Sequence, residues 1–484
     1  MPATTLFLFR NDLRLNDNMA LAAACKTGQP LILLYILDES LLATTQWGLG
    51  SASRWWLHYS LQSLSSDIQQ QGGKLVLRKG NTLNIIDELI EQNNVNKLYF
   101  SRAYEPSQRK IEEGIYANWH QCIEVKRYAA YLLFEPEQIK TGSGLPYKVF
   151  TPFWKACLNQ LEPSLADQKD KPVFQSYRAD LHSDAIEDWA LLPSKPDWAG
   201  GLRDHWQPGE AGARNTLDSF LAAAIEEYDE TRNRPDRIGT SRLSPHLHFG
   251  EIAPTRIWRQ VKKSIKNKNN DVSKNGMAFL RELGWRDFST HLLFHWPGLP
   301  DVSFRPEFEQ FPWQSDEKLL KAWQTGHTGY PIVDAGMREL WHCGWMHNRV
   351  RMVVASFLVK HLLIHWREGE NWFWDTLVDA DLANNAASWQ WVAGSGADAA
   401  PYFRIFNPIL QGKKFDPNGD YVRRWVPELI KMPTQYIHEP WQAPEAALND
   451  AGVMLGKSYP KPLVEHGFAR DRALEAYKTI KKAG

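Results

Sequence analysis

Short apolar runs alternate with amphipathic stretches over the first 130 residues of the chain. The apolar runs predict five strands, at Thr5–Arg10, Leu31–Leu37, Lys74–Lys79, Lys97–Ser101 and Ile123–Tyr128. The stretches between them predict helices at Met19–Lys26, Ser53–Gln71, Leu83–Gln92 and Ser107–His120. Regular alternation of strand and helix is typical of a parallel, doubly wound sheet. Such a sheet binds ligands at the carboxyl ends of its strands.

A long stretch without either pattern follows, from about Tyr131 to Pro208. It is interrupted by eight prolines: Pro136, Pro146, Pro152, Pro163, Pro172, Pro193, Pro196 and Pro208. We therefore expect residues 131–210 to form an irregular connector that lies over the surface of both neighbouring domains.

From Ala211 onward the strand pattern disappears and apolar residues recur at helical spacing. One helix is marked by Leu217, Phe220, Leu221, Ala224 and Ile225, and others are predicted at His248–Lys262, Met277–Phe294, Glu317–Gln324, Ile332–His342 and Arg470–Lys482. The Lys- and Asn-rich stretch Ile265–Lys274 predicts an exposed loop. The predicted fold class is α/β plus all-α, with a doubly wound five-stranded domain (1–130), the connector (131–210) and a helical domain (211–484).

The most distinctive stretch of the helical region runs from Trp341 to Trp391. Its apolar residues predict one long amphipathic helix from His347 to Trp366, with Trp366 at its end. Asn348 and Met352, four residues apart, share a face near the start of that helix.

Tryptophan is concentrated in the same part of the chain. Eleven of the 22 tryptophans lie between Trp285 and Trp391. Core packing explains any one of them, but packing alone rarely needs such a density. A cluster of indoles beside carboxylates and amides indicates a large flat ligand, with aromatic side chains leading from it towards the surface.

Charge and cysteine content narrow the function classes only slightly. The 56 basic and 56 acidic residues balance, which argues weakly against nucleic acid because a binding face can be local. Candidates for such a face, or for an ordinary surface of mixed charge, are Arg349, Arg351, Arg404, Lys413, Lys414, Arg423 and Arg424.

Four scattered cysteines without a C-x-x-C argue against disulfides and metal clusters and fit a reducing cytoplasm. We recognise neither a transmembrane-length apolar run nor a signal peptide.

Two groups of helical residues carry candidate chemistry. Glu282, Trp285 and Arg286 share a helix face, which either presents a carboxylate and an indole to a base-like ligand or forms an intrahelical ion pair. Asn385 and Trp389 share another face, and Trp391 points about 200° away from Trp389. The two indoles therefore suit two different ligands.

Two further motifs remain open in function. Asp379 and Asp381 suit acid–base work, a metal, sugar hydroxyls or an ion pair with Arg351. The segment Gly239–Ser244 offers hydroxyls and backbone N–H groups to a pyrophosphate. We find no Ser–His–Asp order, H-E-x-x-H motif, P-loop or His/Cys cluster, so ordinary hydrolysis has little support and no metal is expected.

These motifs together resemble the photolyase/cryptochrome family of flavoproteins, over nearly the whole chain. The similarity rests on stretches in one order: Phe9–Asn18, Gly239–Ser244, Thr328–Met337, Gly344–Met352 and Ala400–Pro408. Ser53–Leu61 and Ser244–Glu251 are most similar to the third class of cyclobutane photolyases, which neighbours the plant cryptochromes.

The resemblance implies that the helical domain holds folded FAD. The residues that match the family's FAD-binding positions are Tyr228, Thr240, Ser241, Arg242, Leu243, Ser244, Arg351, Asp379, Ala380, Asp381 and Asn385. In that arrangement Arg351 pairs with Asp379, Asp381 faces the flavin edge, and Asn385 lies beside the nitrogen of the central ring.

The resemblance also implies light-driven repair of cyclobutane pyrimidine dimers in DNA. Excited, fully reduced flavin gives an electron to the flipped-out dimer, the ring splits, and the electron returns. Glu282 and Asn348 would hydrogen-bond the dimer, with Trp285, Trp391 and Met352 around it. The DNA strand would be contacted by Arg232, Arg286, Arg349, Arg404 and Gln411, and electrons would reach the flavin through Trp313, Trp366 and Trp389.

An antenna chromophore, methenyltetrahydrofolate or a deazaflavin, is implied for the α/β domain. Some family members bind folate through an acid just after the Tyr-Glu pair, where this chain has Ser107 and Gln108. We therefore do not expect that binding mode.

Two other functions occur in the family, a cryptochrome-type blue-light photoreceptor and a six-four photoproduct photolyase. Asn385, in place of the plant sensors' Asp, and the lack of a long tail favour repair over sensing. Asn348, where six-four enzymes carry a second His, favours cyclobutane dimers. We expect a monomer.

Overall fold

Five parallel strands form a sheet at the N-terminal end of the chain, in the order β3-β2-β1-β4-β5. They are β1 (Thr4–Phe9), β2 (Leu31–Leu37), β3 (Leu75–Lys79), β4 (Val95–Ser101) and β5 (Glu124–Tyr128). The computed structural model describes residues 2–40, 46–160, 172–177, 180–266, 268–399 and 403–482. The five predicted strands are confirmed to within two residues at each end.

Helices cover both faces of this sheet. They are α1 (Met19–Cys25), α2 (Ser51–Gln69), α3 (Thr82–Gln92) and α4 (Pro106–Trp119). The period-two pattern of β1 explains the two layers, because Phe7 and Phe9 pack into the core on one face while Leu6 and Leu8 pack into the core on the other. The side chains of Asn18 and Asn81 cap α1 and α3.

The connector contains more regular structure than its prolines predict. It forms α5 (Phe150–Leu158) and α6 (Gly200–His205), and Phe150 and Phe153 are buried in a core of the helical domain. Pro152 does not prevent α5 because it lies in the first turn, where a proline breaks no helical hydrogen bond. Residues 161–171 and 178–179 of the predicted connector lie outside the described residues.

The rest of the chain is helical. Its longer elements up to the middle of the domain are α7 (Glu210–Ala223), α8 (Tyr228–Thr231), α9 (Ser244–His248), α10 (Pro254–Ile265), α11 (Asn270–His295), α12 (Glu317–Gln324) and α13 (Pro331–Cys343). The remaining ones are α14 (Asn348–Ser356), α15 (Trp366–Thr376), α16 (Leu382–Ala393), α17 (Pro408–Phe415), α18 (Asp420–Trp425), α19 (Glu445–Ala451) and α20 (His466–Lys482). Residues 400–402 of the Ala400–Pro408 motif lie outside the described residues.

Two predicted boundaries in this domain are wrong. The helix predicted at His248–Lys262 is divided into α9 and α10, because Gly250 has a left-handed φ of +66° and Pro254 begins α10. The loop predicted at Ile265–Lys274 is shorter, because the side chain of Asn269 caps α11 and starts that helix at Asn270. Residue 267, within that predicted loop, lies outside the described residues.

The long helix predicted from His347 to Trp366 is also wrong. After α14 the chain makes a π-helical turn at Phe357–His361, and Leu363 then takes a left-handed φ of 57°. The side chain of His365 caps the next helix, so Trp366 begins α15 instead of ending α14. Apolar spacing did not reveal the break, because Leu362, Leu363 and Ile364 are themselves buried.

The motif Phe9–Asn18 joins the sheet to the helical domain. The buried Arg14 guanidinium donates to the carbonyl oxygens of Gly250 and Ala130, at 2.7 and 3.0 Å. Asp17 accepts from Arg256 and Arg259, two residues of α10. Among the described residues, no helix is long and apolar enough to cross a membrane.

Candidate functional site

A guanidinium–carboxylate pair lies where α14 approaches the loop between α15 and α16. Arg351 Nη2 donates to both oxygens of Asp379, at 3.0 and 2.9 Å, and the Asp379 side chain is only 4% exposed. The Arg351 guanidinium lies 5.9 Å from the ring centroid of Trp345, and the Arg242 guanidinium lies 4.8 Å from the same ring. Because both guanidinium groups lie against the Trp345 ring, the Gly239–Ser244 segment lies close to the Arg351–Asp379 ion pair.

The Gly239–Ser244 segment passes close to α8. A Cβ on Gly239 would lie 2.6 Å from the carbonyl oxygen of Thr231, so only glycine fits this crossing. Thr240, Ser241 and Ser244 keep accessible hydroxyl-bearing side chains, while Leu243 is buried in the core. The segment therefore offers polar groups on one side and is fixed to the domain on the other.

Asp381 is held ionised at the start of α16. It caps the helix by accepting from the backbone N–H of Asn384 at 2.8 Å, and it accepts from the Tyr131 hydroxyl at 2.6 Å. Burial alone raises the pKa of this carboxyl, but His248, the Arg286 guanidinium and the Tyr131 hydroxyl together hold it well below its usual range. Asp381 thus supplies a fixed negative charge at the start of α16.

The side chain of Asn385 on α16 is hydrogen-bonded to the backbone of α15 at Glu370. The Asn385 Nδ2 donates to the backbone carbonyl of Glu370 at 3.0 Å, which orients the amide. Within the described part of the chain, neither carboxyl oxygen of the buried Glu370 has a hydrogen-bond partner. Burial raises the pKa of Glu370 well above its usual range, and the nearby Asp301 carboxylate adds to the rise. The oriented amide of Asn385, at a buried position, fits a bound heterocycle with a polar edge.

The three predicted electron-carrying tryptophans lie along α15. The ring of Trp313 lies 4.9 Å from that of His365, which lies 5.4 Å from that of Trp366. One turn further, Gly369 leaves room for Trp389, because a Cβ there would lie 2.0 Å from the Trp389 Cη2. Trp366 and Trp389 are buried, and Trp313 is partly exposed.

Arg349 and its neighbours Arg232 and Arg404 form a cation cluster at the start of α14. Arg232 donates to Glu282 at 2.7 Å, and Arg349 donates to Asn233 at 2.7 Å. Burial and the neighbouring Arg232 and Arg404 lower the pKa of Arg349. Like charges gathered at one place are typical of a site that binds an anion.

Asn348 and Met352 lie beside this cluster. Asn348 is exposed in the first turn of α14, and the Met352 sulfur lies 3.6 Å from Arg349 Nη1.

The remaining predicted site residues differ in exposure. Gln411 on α17 has a buried Oε1 without a partner among the described residues, and Trp391 is partly exposed on α16. Tyr228 and Ala380 are buried, and Tyr228 packs against Phe220 and Phe279.

The connector helix α5 contributes a residue that we did not predict for the site. Phe150 stacks on Trp285 with a centroid distance of 3.6 Å and an interplanar angle of 11°. The backbone N–H of Phe150 also donates to Asp398, in the segment after α16, at 3.2 Å. The helical spacing of Phe150, Phe153 and Trp154 was the available sequence signal, but the surrounding prolines hid it.

Arg286 lies on the interior side of α11. Its guanidinium donates to the carbonyl oxygens of Tyr131 and Leu247, at 2.6 and 3.3 Å, and its side chain is 11% exposed. The predicted contact of Arg286 with DNA is therefore wrong. The intrahelical ion pair considered for this motif is wrong too, because Glu282 pairs with Arg232.

A cleft with a cavity volume of about 120 Å³ lies between the sheet and the helical domain. Its sheet side consists of residues at the carboxyl ends of strands or just beyond them, among them Arg10, Asp38 and Glu105, and its other side includes His248 and Trp374. Burial and the nearby Asp381 raise the pKa of Glu105 to about 7. The cleft lies at the edge where a doubly wound sheet binds ligands.

Comparison with known proteins matches this architecture. A family model described as DNA photolyase matches residues 5–173, and one described as the FAD binding domain of DNA photolyase matches residues 279–479. A deoxyribodipyrimidine photo-lyase of Agrobacterium fabrum (strain C58) is 49% identical over 482 residues, covering 99% of this chain and 98% of that protein. The chain belongs to the photolyase/cryptochrome family.

Other family members agree in fold. The crystal structure of a bacterial class III photolyase from Agrobacterium tumefaciens has a TM-score of 0.94 and 49% identity, and the match covers 100% of this chain and 98% of that one. Cryptochrome-1 of Arabidopsis thaliana is 37% identical over 479 residues, 97% of this chain and 69% of that protein. Family membership confirms the predicted combination of a parallel sheet and a helical FAD-binding domain, and it confirms FAD as the cofactor.

Proposed function

We propose that this protein uses light to repair cyclobutane pyrimidine dimers in DNA. The observation that carries the proposal is the cluster of Arg232, Arg349 and Arg404, in which Arg232 pairs with Glu282. The Agrobacterium photolyase is more similar to the chain than the Arabidopsis cryptochrome is, which favours repair over light sensing.

Several residues of the pocket suit the parts of FAD. Asn385 and the Arg351–Asp379 pair suit the polar edge of the flavin ring, and Asp381 suits a donor group on it. Thr240, Ser241 and Ser244 suit the phosphates, with Arg242 as a nearby positive charge. When bound and reduced, the flavin supplies the electron that light releases to the dimer.

The residues of the chain bind and orient the damaged strand. Arg232, Arg349 and Arg404 bind phosphates, and this binding supplies salt-dependent affinity. Glu282 and Asn348 hydrogen-bond the two pyrimidines once they leave the duplex, and a damaged pair is less costly to extrude than an intact one. Trp285, fixed by the Phe150 stack, offers its remaining face and edge to the flipped-out bases, with Met352 and Trp391 beside them.

Electrons reach the bound cofactor through Trp313, Trp366 and Trp389. The route follows α15, from partly exposed Trp313 to Trp389 against Gly369. Trp313 and Trp366 carry buried indole N–H groups without partners among the described residues, so hydrogen bonding does not explain their placement.

The interdomain cleft is the place for an antenna chromophore, methenyltetrahydrofolate or a deazaflavin. Glu105 and Asp38 would accept hydrogen bonds from a heterocycle there, and Trp374 would pack against it. The free cysteines Cys25, Cys122, Cys157 and Cys343 fit the reducing cytoplasm, and we propose that the protein acts as a monomer.

Illumination of the protein in the presence of dimer-containing DNA tests the proposal. Dimers should disappear in the light and persist in a matched dark sample. The same DNA without dimers should bind more weakly, since its bases stay in the duplex. Equal binding of damaged and undamaged DNA, with no loss of dimers, would reject the function.

A further inference from the structure

His365 lies between two of the tryptophans that supply electrons in the proposed function. We propose that the imidazole of His365 is a relay residue that carries the electronic coupling between Trp313 and Trp366. This inference rests on the proposed function, because it presumes that Trp313, Trp366 and Trp389 pass electrons to the bound FAD.

The ring geometry supports this role. The imidazole centroid is 4.9 Å from the Trp313 ring at an interplanar angle of 58°, and 5.4 Å from the Trp366 ring at 33°. Both distances lie within the range of aromatic contacts in protein cores. A continuous path of ring contacts therefore joins the partly exposed indole to the buried one.

The backbone holds the three rings in this order. The backbone N–H of Gln314 donates to the carbonyl oxygen of Leu363 at 2.7 Å, and Gln314 forms an isolated bridge with Ile364. Leu363, with its left-handed φ of 57°, turns the chain so that His365 precedes α15. The segment that breaks the predicted long helix is thus the segment that places His365 against Trp313.

The imidazole is held neutral in one tautomer. Its Nδ1 accepts from the backbone N–H of Arg367 at 3.1 Å, so the proton resides on Nε2. Burial and the Arg367 guanidinium lower the pKa of His365 to about 4, against a smaller opposing effect of Glu309. A neutral ring does not repel the positive charge that appears on a tryptophan when it loses an electron, whereas an imidazolium would.

The electron count of the route is simple. With FAD bound, one electron would pass from Trp389 to the cofactor, Trp366 would refill Trp389, and Trp313 would refill Trp366 across His365. A thiol in solution would then give one electron to Trp313 and its proton to water, and two of the resulting thiyl radicals would combine to a disulfide. No covalent bond within the chain forms or breaks.

Two substitutions separate the ring of His365 from its helix cap. His365→Asn keeps an N-cap for α15 but removes the aromatic ring, and His365→Phe keeps a ring but removes the cap. We expect light-driven flavin reduction, with a thiol present, to slow several-fold in His365→Asn. The rate should stay near normal in His365→Phe, whose thermal stability falls instead. His365→Ser provides the same cap-only test if His365→Asn does not fold.

Transient absorption follows the oxidised tryptophans directly, and the variant Trp313→Phe tests the route that His365 would serve. The oxidised-tryptophan signal should move to the surface indole more slowly in His365→Asn than in His365→Phe. A normal rate in His365→Asn, or equal slowing in both variants, would overturn the role of the ring. Trp313→Phe tests the electron route itself, because normal light-driven flavin reduction in that variant would exclude the tryptophan route. If Trp313→Phe loses flavin reduction while His365→Asn keeps the normal rate, only the role of His365 is rejected.

Discussion

The carboxylate of Glu282 pairs with Arg232, one of the three arginines of the cation cluster. Glu282→Ala removes both a proposed dimer contact and the partner of Arg232. We expect repair to fall while FAD stays bound. Affinity for undamaged DNA should stay equal or rise, because the cluster becomes more positive.

The control for Glu282 is Glu445→Ala, which removes the same charge from an exposed position on α19. It should change neither repair nor DNA affinity. Steady-state repair rates and binding to damaged and undamaged DNA, compared side by side, give the answer. A Glu282→Ala protein that repairs at the normal rate would exclude this residue from dimer recognition.

Arg349 and Arg286 should respond to substitution in opposite ways. Arg349→Ala should lower the slope of log affinity for DNA against log salt by about one, because one phosphate contact is lost. Arg286→Ala should leave that slope unchanged but lower the free energy of unfolding by about 1–3 kcal/mol, since it removes the Arg286 donor from the carbonyl oxygen of Tyr131, a buried residue. Binding titrations over a salt series and denaturant unfolding measure the two effects; an unchanged slope in Arg349→Ala would make that arginine structural.

At the scale of elements, α15 and α16 meet at Gly369. A Cβ there would overlap Trp389, so Gly369→Ala must move the indole or separate the helices. We expect a loss of about 1–3 kcal/mol in unfolding free energy, as for other overpacked cores, together with slower light-driven flavin reduction. The matched control is Gly200→Ala on α6, where a Cβ meets no atom within 4 Å.

The Gly369 test has a clear contrary result. If Gly369→Ala reduces its flavin at the normal rate and is as stable as the Gly200→Ala protein, the contact between Trp389 and α15 is not needed for the electron route. Unfolding curves and flavin absorbance under illumination supply both readings.

Elements differed in how well the sequence predicted them. The strands of the sheet followed from period-two apolar runs, since their pattern is local. The break between α14 and α15 did not, because buried Leu362 and Ile364 continue the apolar spacing through a non-helical turn. Trp366 was therefore assigned to the wrong helix, although its proposed role along the electron route is unaffected.

At the scale of the whole molecule, the site depends on contacts between distant segments. The Arg351–Asp379 pair was inferred from family resemblance, and the structure bears it out. Two contacts of the site were not predicted: the stack of Phe150 on Trp285 and the ion pair of Arg232 with Glu282. Each joins segments that are distant in the sequence, and no local sequence pattern indicates how such segments pack. Arg286 was misassigned because helix spacing gives a shared face but not the direction in which that face points.

The docking of the last helix should depend on pH. His361 Nε2 lies 2.9 Å from His466 Nδ1 at the start of α20, and burial lowers the pKa of His361 to about 3. Between that pKa and the unfolded value of about 6.5, the unfolded chain binds more protons at this residue. His361 therefore makes stability rise with pH over this window, by at most about 1.4 kcal/mol per pH unit.

His361→Phe keeps a ring in the core and removes this titration. The difference in unfolding free energy between the native protein and the variant should grow as pH rises from about 4 to 6.5, while the other buried histidines contribute equally to both. Denaturant unfolding at several pH values measures the difference. A difference that is constant with pH would show that His361 does not titrate between the folded and unfolded states.

Light-dependent loss of dimers in the presence of the chemically reduced protein tests whether this protein repairs cyclobutane pyrimidine dimers. The protein is reduced with dithionite, mixed with excess DNA that contains cyclobutane pyrimidine dimers, and divided between light and darkness. We predict that dimers disappear only in the light, with many dimers split per protein molecule and no consumption of reductant, because the electron returns after each cycle. Dimers that persist under illumination, in protein that holds reduced FAD and binds the damaged DNA, would contradict the account.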